Sequence, residues 1–232
     1  MTRVLSFWFA QFVEKKLASR GFKVVAPWLA ERKQNGVRVG IMWTAPNDED
    51  GEFARTKVRT FKTFDHELDD APGARNAAQG CETVCAWMSG ELGLFGSCTR
   101  KSFVESLRLM SEVLLDDLDE ISSARSILLS AQENPHRRSY LLGRDERVAR
   151  FNYAYCHERT GEVKKAVGLY REFAQSVEND ESRVAQDYSR AALRRAEILD
   201  TLDCIYADLV KADDPSSRAL ASKIEAFFCP TT

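Results

Sequence analysis

The feature that most constrains this chain is a run of apolar side chains at helical spacing. Val163, Ala166, Val167, Tyr170, Phe173, Ala174 and Val177 recur at intervals of three and four residues. Such a segment places its apolar residues on one face of an α-helix and leaves the opposite face polar. A helix with a single apolar stripe is not stable alone, so it must pack against neighbours. The same period runs through most of the second half of the chain. Phe103, Leu107, Met110 and Leu114 mark one helix. Ile121, Ala124, Leu128 and Ala131 mark a second, ending before Pro135, and Val148, Phe151 and Tyr155 mark a third. A longer helix carries Val184, Tyr188, Ala191, Leu199, Leu202 and Leu209. Asp214 followed by Pro215 reads as a helix cap and first-turn proline opening a last helix, with Leu220, Ile224, Phe227 and Phe228 as its apolar residues. Short connections between such helices force antiparallel neighbours.

The N-terminal part has a different pattern. Residues 2–20 predict a helix stopped by Gly21, with Leu5, Trp8, Phe9 and Phe12 on one face. Three strand-like runs follow: Phe22 to Trp28, an alternating run Val37, Val39, Ile41 and Trp43, and Thr56 to Phe64. Residues 65–77 are acidic and then broken by proline and glycine, as a linker is. Residues 75–90 predict a further helix, followed by a glycine-rich bend from Leu92 to Gly96. The expected organisation is therefore a small α+β unit over residues 1–77 and a helical, repeat-like domain over residues 78–232.

The segment 147–177, RVARFNYAYCHERTGEVKKAVGLYREFAQSV, resembles a tetratricopeptide unit. Small residues stand where two helices of such a unit touch (Ala154 and Ala166), Gly161 stands at the turn, and Tyr170 stands one turn further on. A fainter copy precedes it, in which Ala124 and Leu128 take the places of Ala166 and Tyr170. The resemblance implies a mainly α fold of antiparallel hairpins stacked in tetratricopeptide-like fashion. It also implies that the first helix of the hairpin lines a concave, partner-binding face bearing Phe151, Asn152, Tyr155, Glu158 and Arg159. A second resemblance, to the microtubule-interacting and transport domain, rests on Ala154, Glu158, Ala166, Leu169 and Tyr170 and on Arg195, Ala196, Glu197 and Leu199. That domain is a three-helix bundle that binds helical tails.

No motif in the chain names a reaction. A phosphate-binding glycine loop, a nucleophile elbow and a paired metal–histidine motif are all missing from the sequence. The acidic loop Pro46 to Gly51 fails as a calcium loop, because Pro46 and Lys57 fall where carboxylates are needed. Asp65, His66, Glu67, Asp69 and Asp70 form the one cluster with acid–base potential. Cys81, Cys85 and Cys98 could meet His66 at a zinc ion, but irregularly spaced cysteines in a chain of 232 residues read first as reduced, buried thiols. His157 beside Cys156 reads as a packed histidine. His136, Arg137, Arg138, Arg144, Arg147 and Arg150 form a basic stretch that could meet an acidic or phosphorylated peptide, as could Arg190, Arg194 and Arg195. Ordinary ion pairing is the plainer reading of all of them.

A formal net charge of −2 gives no reason to expect nucleic acid as a partner. The apolar stretch Val4 to Val13 reads as an amphipathic first helix rather than a secretory leader, since Glu14, Lys15 and Lys16 follow it directly. Contact of that helix with a membrane surface is the alternative. The expected function is a cytoplasmic, protein- or peptide-binding helical adaptor or scaffold, with no cofactor and no metal. The alternatives are a structural subunit of a larger assembly and a hydrolase- or nuclease-type enzyme with its site in residues 1–70.

Overall fold

The computed structural model describes residues 2–44, 57–65, 99–116, 118–143, 145–212 and 214–228. The chain is mostly helical, with a four-stranded antiparallel sheet near its N-terminus. The loop Pro46 to Gly51, the cysteines Cys81, Cys85, Cys98 and Cys229, His66, the linker to residue 77 and the helix expected over 75–90 lie outside the described residues.

Helix α1 (Thr2–Lys16) buries Leu5, Phe9, Phe12 and Val13, and Leu17 follows them into the core. A single 3-10 turn, Ala18–Arg20, then closes on Gly21. The sheet comprises β1 (Lys23–Ala26), β2 (Leu29–Gln34), β3 (Val37–Thr44) and β4 (Lys57–Phe64), in that spatial order. The sequence pattern had supplied three strands. The fourth, β2, reads LAERKQ and lacks apolar alternation, because only Ala30 is fully buried on it. Its signal lies in the next two residues. Asn35 and Gly36 both have positive φ (46° and 81°) and join Gln34 to its cross-strand partner Val37. A two-residue loop with Asn-Gly matches the twist of two antiparallel strands, since these residues tolerate the left-handed region.

Register decides which side of the sheet is inside. Val37, Val39, Ile41 and Trp43 pair with Phe64, Lys62, Thr60 and Val58, and all eight are buried. Two helices cover them. Trp43 meets Phe103 edge to face at 6.0 Å, and Trp8 lies 6.4 Å from the same ring. Phe103 belongs to α2 (Arg100–Asp116), whose buried positions Phe103, Leu107, Met110 and Leu114 are those the period predicts.

The helices continue through α3 (Leu118–Ile121), α4 (Ala124–Glu133), α5 (Arg138–Leu142), α6 (Glu146–Arg159), α7 (Val163–Ser176), α8 (Arg183–Ala212) and α9 (Pro215–Phe228). Helix α4 opens on a capping box: Ser123 Oγ accepts from the Ser126 amide and Ser126 Oγ from the Ser123 amide, at 3.1 Å each. Asp145 caps α6 by accepting from the Arg147 amide. Asp214 caps α9 by accepting from the Ser216 and Ser217 amides, with Pro215 in the first turn. Between α6 and α7, Gly161 takes φ 81°, where a side chain would be strained. Ala154 and Ala166 are fully buried at the crossing of these two helices.

One hydrophobic cluster runs from Leu5 in α1 to Ile224 in α9. The sheet and the helices therefore share a core. The backbone also ties them together, since the Asn35 carbonyl accepts from the Ala124 amide at the start of α4.

Candidate functional site

Helix α6 carries all five residues that the tetratricopeptide resemblance assigns to a partner. The structure places four of them in the interior. Phe151, Asn152, Tyr155 and Glu158 are buried, and Arg159 is half-buried. This corrects the expectation of an open, ligand-facing surface on α6.

Each of the four has an internal partner. Phe151 sits among the rings of Tyr170, Tyr188 and Phe173, with centroids 5.2, 5.1 and 6.1 Å away. Asn152 donates through Nδ2 to the Leu142 carbonyl at 2.6 Å, satisfying the end of α5. Tyr155 donates its hydroxyl to the Asp65 carbonyl at 2.8 Å, and Phe64 stands edge-on to its ring at 5.8 Å. Glu158 accepts from Tyr170 Oη on one oxygen and from Arg195 on the other, both at 2.7 Å.

Helices cover Phe151, Asn152 and Glu158, and the sheet covers Tyr155 and Arg159. The Asn35–Gly36 turn lies against α6 so closely that a β-carbon on Gly36 would stand 3.0 Å from Arg159 Cγ and 3.2 Å from Tyr155 Oη. Lys62, buried on the inner face of β4, donates to the Leu141 carbonyl. The chain's own hairpin turn and the backbone of Asp65 thus lie against Tyr155 and Arg159.

Electrostatics fit an interior rather than a reactive site. Burial pushes the Tyr155 and Tyr170 hydroxyls up, away from ionisation. Burial also raises the Cys156 thiol, which keeps it protonated and a poor nucleophile. For Arg195, burial is the largest influence and works against the charge, but the Glu158 carboxylate, Tyr170 and Tyr155 together turn the balance and raise its pKa. The guanidinium also lies 5.1 Å from the Tyr155 ring centroid. His157 has a fully buried side chain, with Nδ1 3.2 Å from a Glu162 oxygen and the Tyr153 ring edge-on at 4.6 Å. Burial and Lys165 hold its pKa below the usual value, against the opposing pull of Glu162.

The basic stretch is largely engaged within the fold. Arg147 binds Asp145, Asp180 and Ser182, and Arg150 binds Glu146. Arg138 covers the Tyr153 ring, and Arg190 binds Asp187. Among the described residues no three His, Cys, Asp or Glu side chains converge as metal ligands would, and no helix is long and apolar enough to cross a membrane.

Open surface lies elsewhere. Helix α8 has 30 residues, about 45 Å, against 14 residues, about 21 Å, for α7. Its buried residues are Ala185, Tyr188, Ala192, Ala196 and Leu199, and none lies beyond Leu199. The second half of α8 pairs with α9, where Tyr206 donates to Glu225 at 2.6 Å and Ala221 and Ile224 are buried. Ile198, Ile205 and Val210 remain exposed on α8, as does Leu220 on α9. The sequence marks Leu220 as one of the apolar residues of the last helix, and it is exposed. Ala221, one position on, is buried instead. The detectable signal was the surplus of apolar residues on α8, since Ile198 and Ile205 lie seven apart, off the stripe that Leu199 belongs to.

No family model matches the chain, and no curated protein or solved structure is significantly similar to it. What the structure defines is a class: a mainly helical protein with a small four-stranded antiparallel sheet near its N-terminus.

Proposed function

We propose that this protein is a helical scaffold that binds another protein, its hairpins stacked in tetratricopeptide-like fashion, and that its docking surface is the α8–α9 hairpin. The observation that carries the reading is the exposed pair Ile198 and Ile205 on one face of α8, with Val210 exposed further round the same helix half, which has one described helical neighbour. Exposed apolar residues grouped on one element mark interaction surfaces more often than chance scatter does. An amphipathic helix pair presenting such a face suits a partner helix, which would lay its own apolar face along it. The small residues Ala154, Ala166, Ala192 and Ala196 at the helix crossings support close hairpin stacking. A structural subunit of a larger assembly is a second reading, favoured by Val4 and Phe7 exposed on α1.

The test is photo-crosslinking in cells from a benzoylphenylalanine placed at position 205, with position 172 on α7 as the exposed control. A discrete adduct from 205 and none from 172 is expected. Ile198→Asp should abolish the adduct and leave the melting temperature unchanged. No adduct, or an adduct indifferent to Ile198→Asp, overturns the reading.

A further inference from the structure

We propose that the α8–α9 hairpin docks on a second copy of this chain, seating head to tail on the surface formed by α1 and β1. The inference rests on the reading of that hairpin as a docking surface and names its partner.

The formal net charge of −2 conceals a strong polarity along the chain. Residues 1–33 hold seven Lys and Arg against two Glu. Residues 197–228 hold seven Asp and Glu against three Lys and Arg. On the N-terminal side, Lys15, Lys16, Arg20 and Lys23 are all exposed, and none forms an ion pair among the described residues. On the C-terminal side Glu197 is exposed and Asp203 half-buried, and neither has an ion-pair partner among those residues.

Apolar exposure follows the same division. Phe7 is 60% exposed, Val25 52% and Trp28 45%, and they share the first 28 residues with the basic cluster. The hairpin presents Ile198, Ile205 and Val210 beside its acids. Among the described residues strand β1 is also a sheet edge, short and bulged between Val24 and Ala26, and its outer side has no strand partner there. A bulged edge resists strand pairing and is suited instead to side-chain contact. Each region of the chain thus offers exposed apolar residues and an excess of charge of one sign, the two ingredients of an interface core and rim.

Complementarity selects the occupant. Either surface paired with its own copy would set like charges against each other, which costs affinity. A basic N-terminal surface alone would also suit an anionic bilayer, but that leaves the acidic hairpin uncovered. A second copy of this chain covers both surfaces with one contact. Because the two patches differ, the contact is heterologous: every pairing leaves one free patch at each end, and growth continues until a ring closes or a filament forms.

The experiment is sedimentation velocity on the full chain at about 0.1 M and about 1 M salt, where the Debye length falls from roughly 10 to roughly 3 Å. Species of at least twice the 26.2 kDa monomer mass are expected at the lower salt and monomer at the higher. Two charge-reversed chains are then compared. One carries Lys15→Glu, Lys16→Glu and Lys23→Glu, and the other Glu197→Lys, Asp203→Lys and Asp208→Lys. Each alone should lose association by tenfold or more, on the order of the coupling measured for close interfacial charges. An equimolar mixture should re-form assemblies, because each reversed surface then meets its opposite. That recovery also shows that both variants are folded. A wild-type chain that stays monomeric at both salt concentrations overturns the inference, as does a mixture of the variants that fails to recover. If the wild type is monomeric while position 205 still crosslinks to a different protein, self-association falls and the docking surface stands.

Discussion

The α6–α7 hairpin and the α8–α9 hairpin begin from similar material. Both are antiparallel helix pairs with an apolar stripe, and both place a tyrosine hydroxyl on a glutamate: Tyr170 on Glu158, and Tyr206 on Glu225. Their environments separate them. The first lies between the sheet on one side and α8 on the other, so its polar contacts are buried and connected. The second is covered by α7 only along the first part of α8, and its tyrosine–glutamate contact is exposed. The same bond is worth different amounts in the two places. A surface pair competes with water and contributes little. A buried one must be complete, because removing a partner strands the other in a medium that cannot solvate it.

That contrast can be broken from its strong end first. Glu158→Ala leaves Arg195 mostly buried without its carboxylate, and a loss of about 3–5 kcal/mol is expected in urea denaturation. Replacing Glu158 and Arg195 together with Met and Leu should recover much of it, which separates the desolvated charge from the lost contact. Phe151→Ala removes the ring shared by Tyr170, Tyr188 and Phe173, for about 3–5 kcal/mol. Asn152→Ala strands the Leu142 carbonyl at the end of α5 and should cost about 1–3 kcal/mol. Neither Asn152→Ala nor Tyr155→Ala should behave as a binding variant of unchanged stability, the behaviour an open groove would give.

The pH dependence follows from His157. Its folded pKa lies below the ordinary 6.5, so the unfolded chain takes up the proton first. The contribution of this histidine to stability is complete above about 6.5 and is lost as the pH falls through the folded value. His157→Gln should flatten that acid limb in a series of urea midpoints, and an unchanged slope would assign the limb to other groups. At the weak end, Ile205→Ser should move stability by no more than about 0.5 kcal/mol, as substitutions at exposed positions do. A larger loss would mean that the hairpin is covered in the folded protein.

Helical period made the helices legible. Phe103, Leu107, Met110 and Leu114 were placed on one face by spacing alone, and they are buried. Spacing identifies a face and does not say what lies against it. The expectation of an open α6 face misses two kinds of cover: Tyr170, Tyr188 and Arg195 on the following helices, and Gly36 and Asp65, far away in the sequence and without any local mark of their destination. Strand β2 escaped the pattern for the opposite reason. Its side chains carry almost no periodic signal, and the information sits in the two turn residues, Asn35 and Gly36. The exposed half of α8 was hidden by its own regularity. A 30-residue helix reads the same along its length, while its partner α7 covers only part of it.

The bond from Tyr155 to the Asp65 carbonyl joins positions 90 apart, and that from Lys62 to Leu141 joins positions 79 apart. During synthesis the sheet leaves the ribosome first. At about 5–20 residues per second, the end of β4 at Phe64 and Asp65 waits about 5 to 20 s for the Tyr155 that will pack on it. Through that interval Val58 and Phe64 lie on a strand that is an edge among the described residues, with α6 still unmade. Nascent chains are therefore most exposed to mispairing before residue 155 emerges, and a chaperone that protects this protein would act on the sheet and let go as α6 arrives.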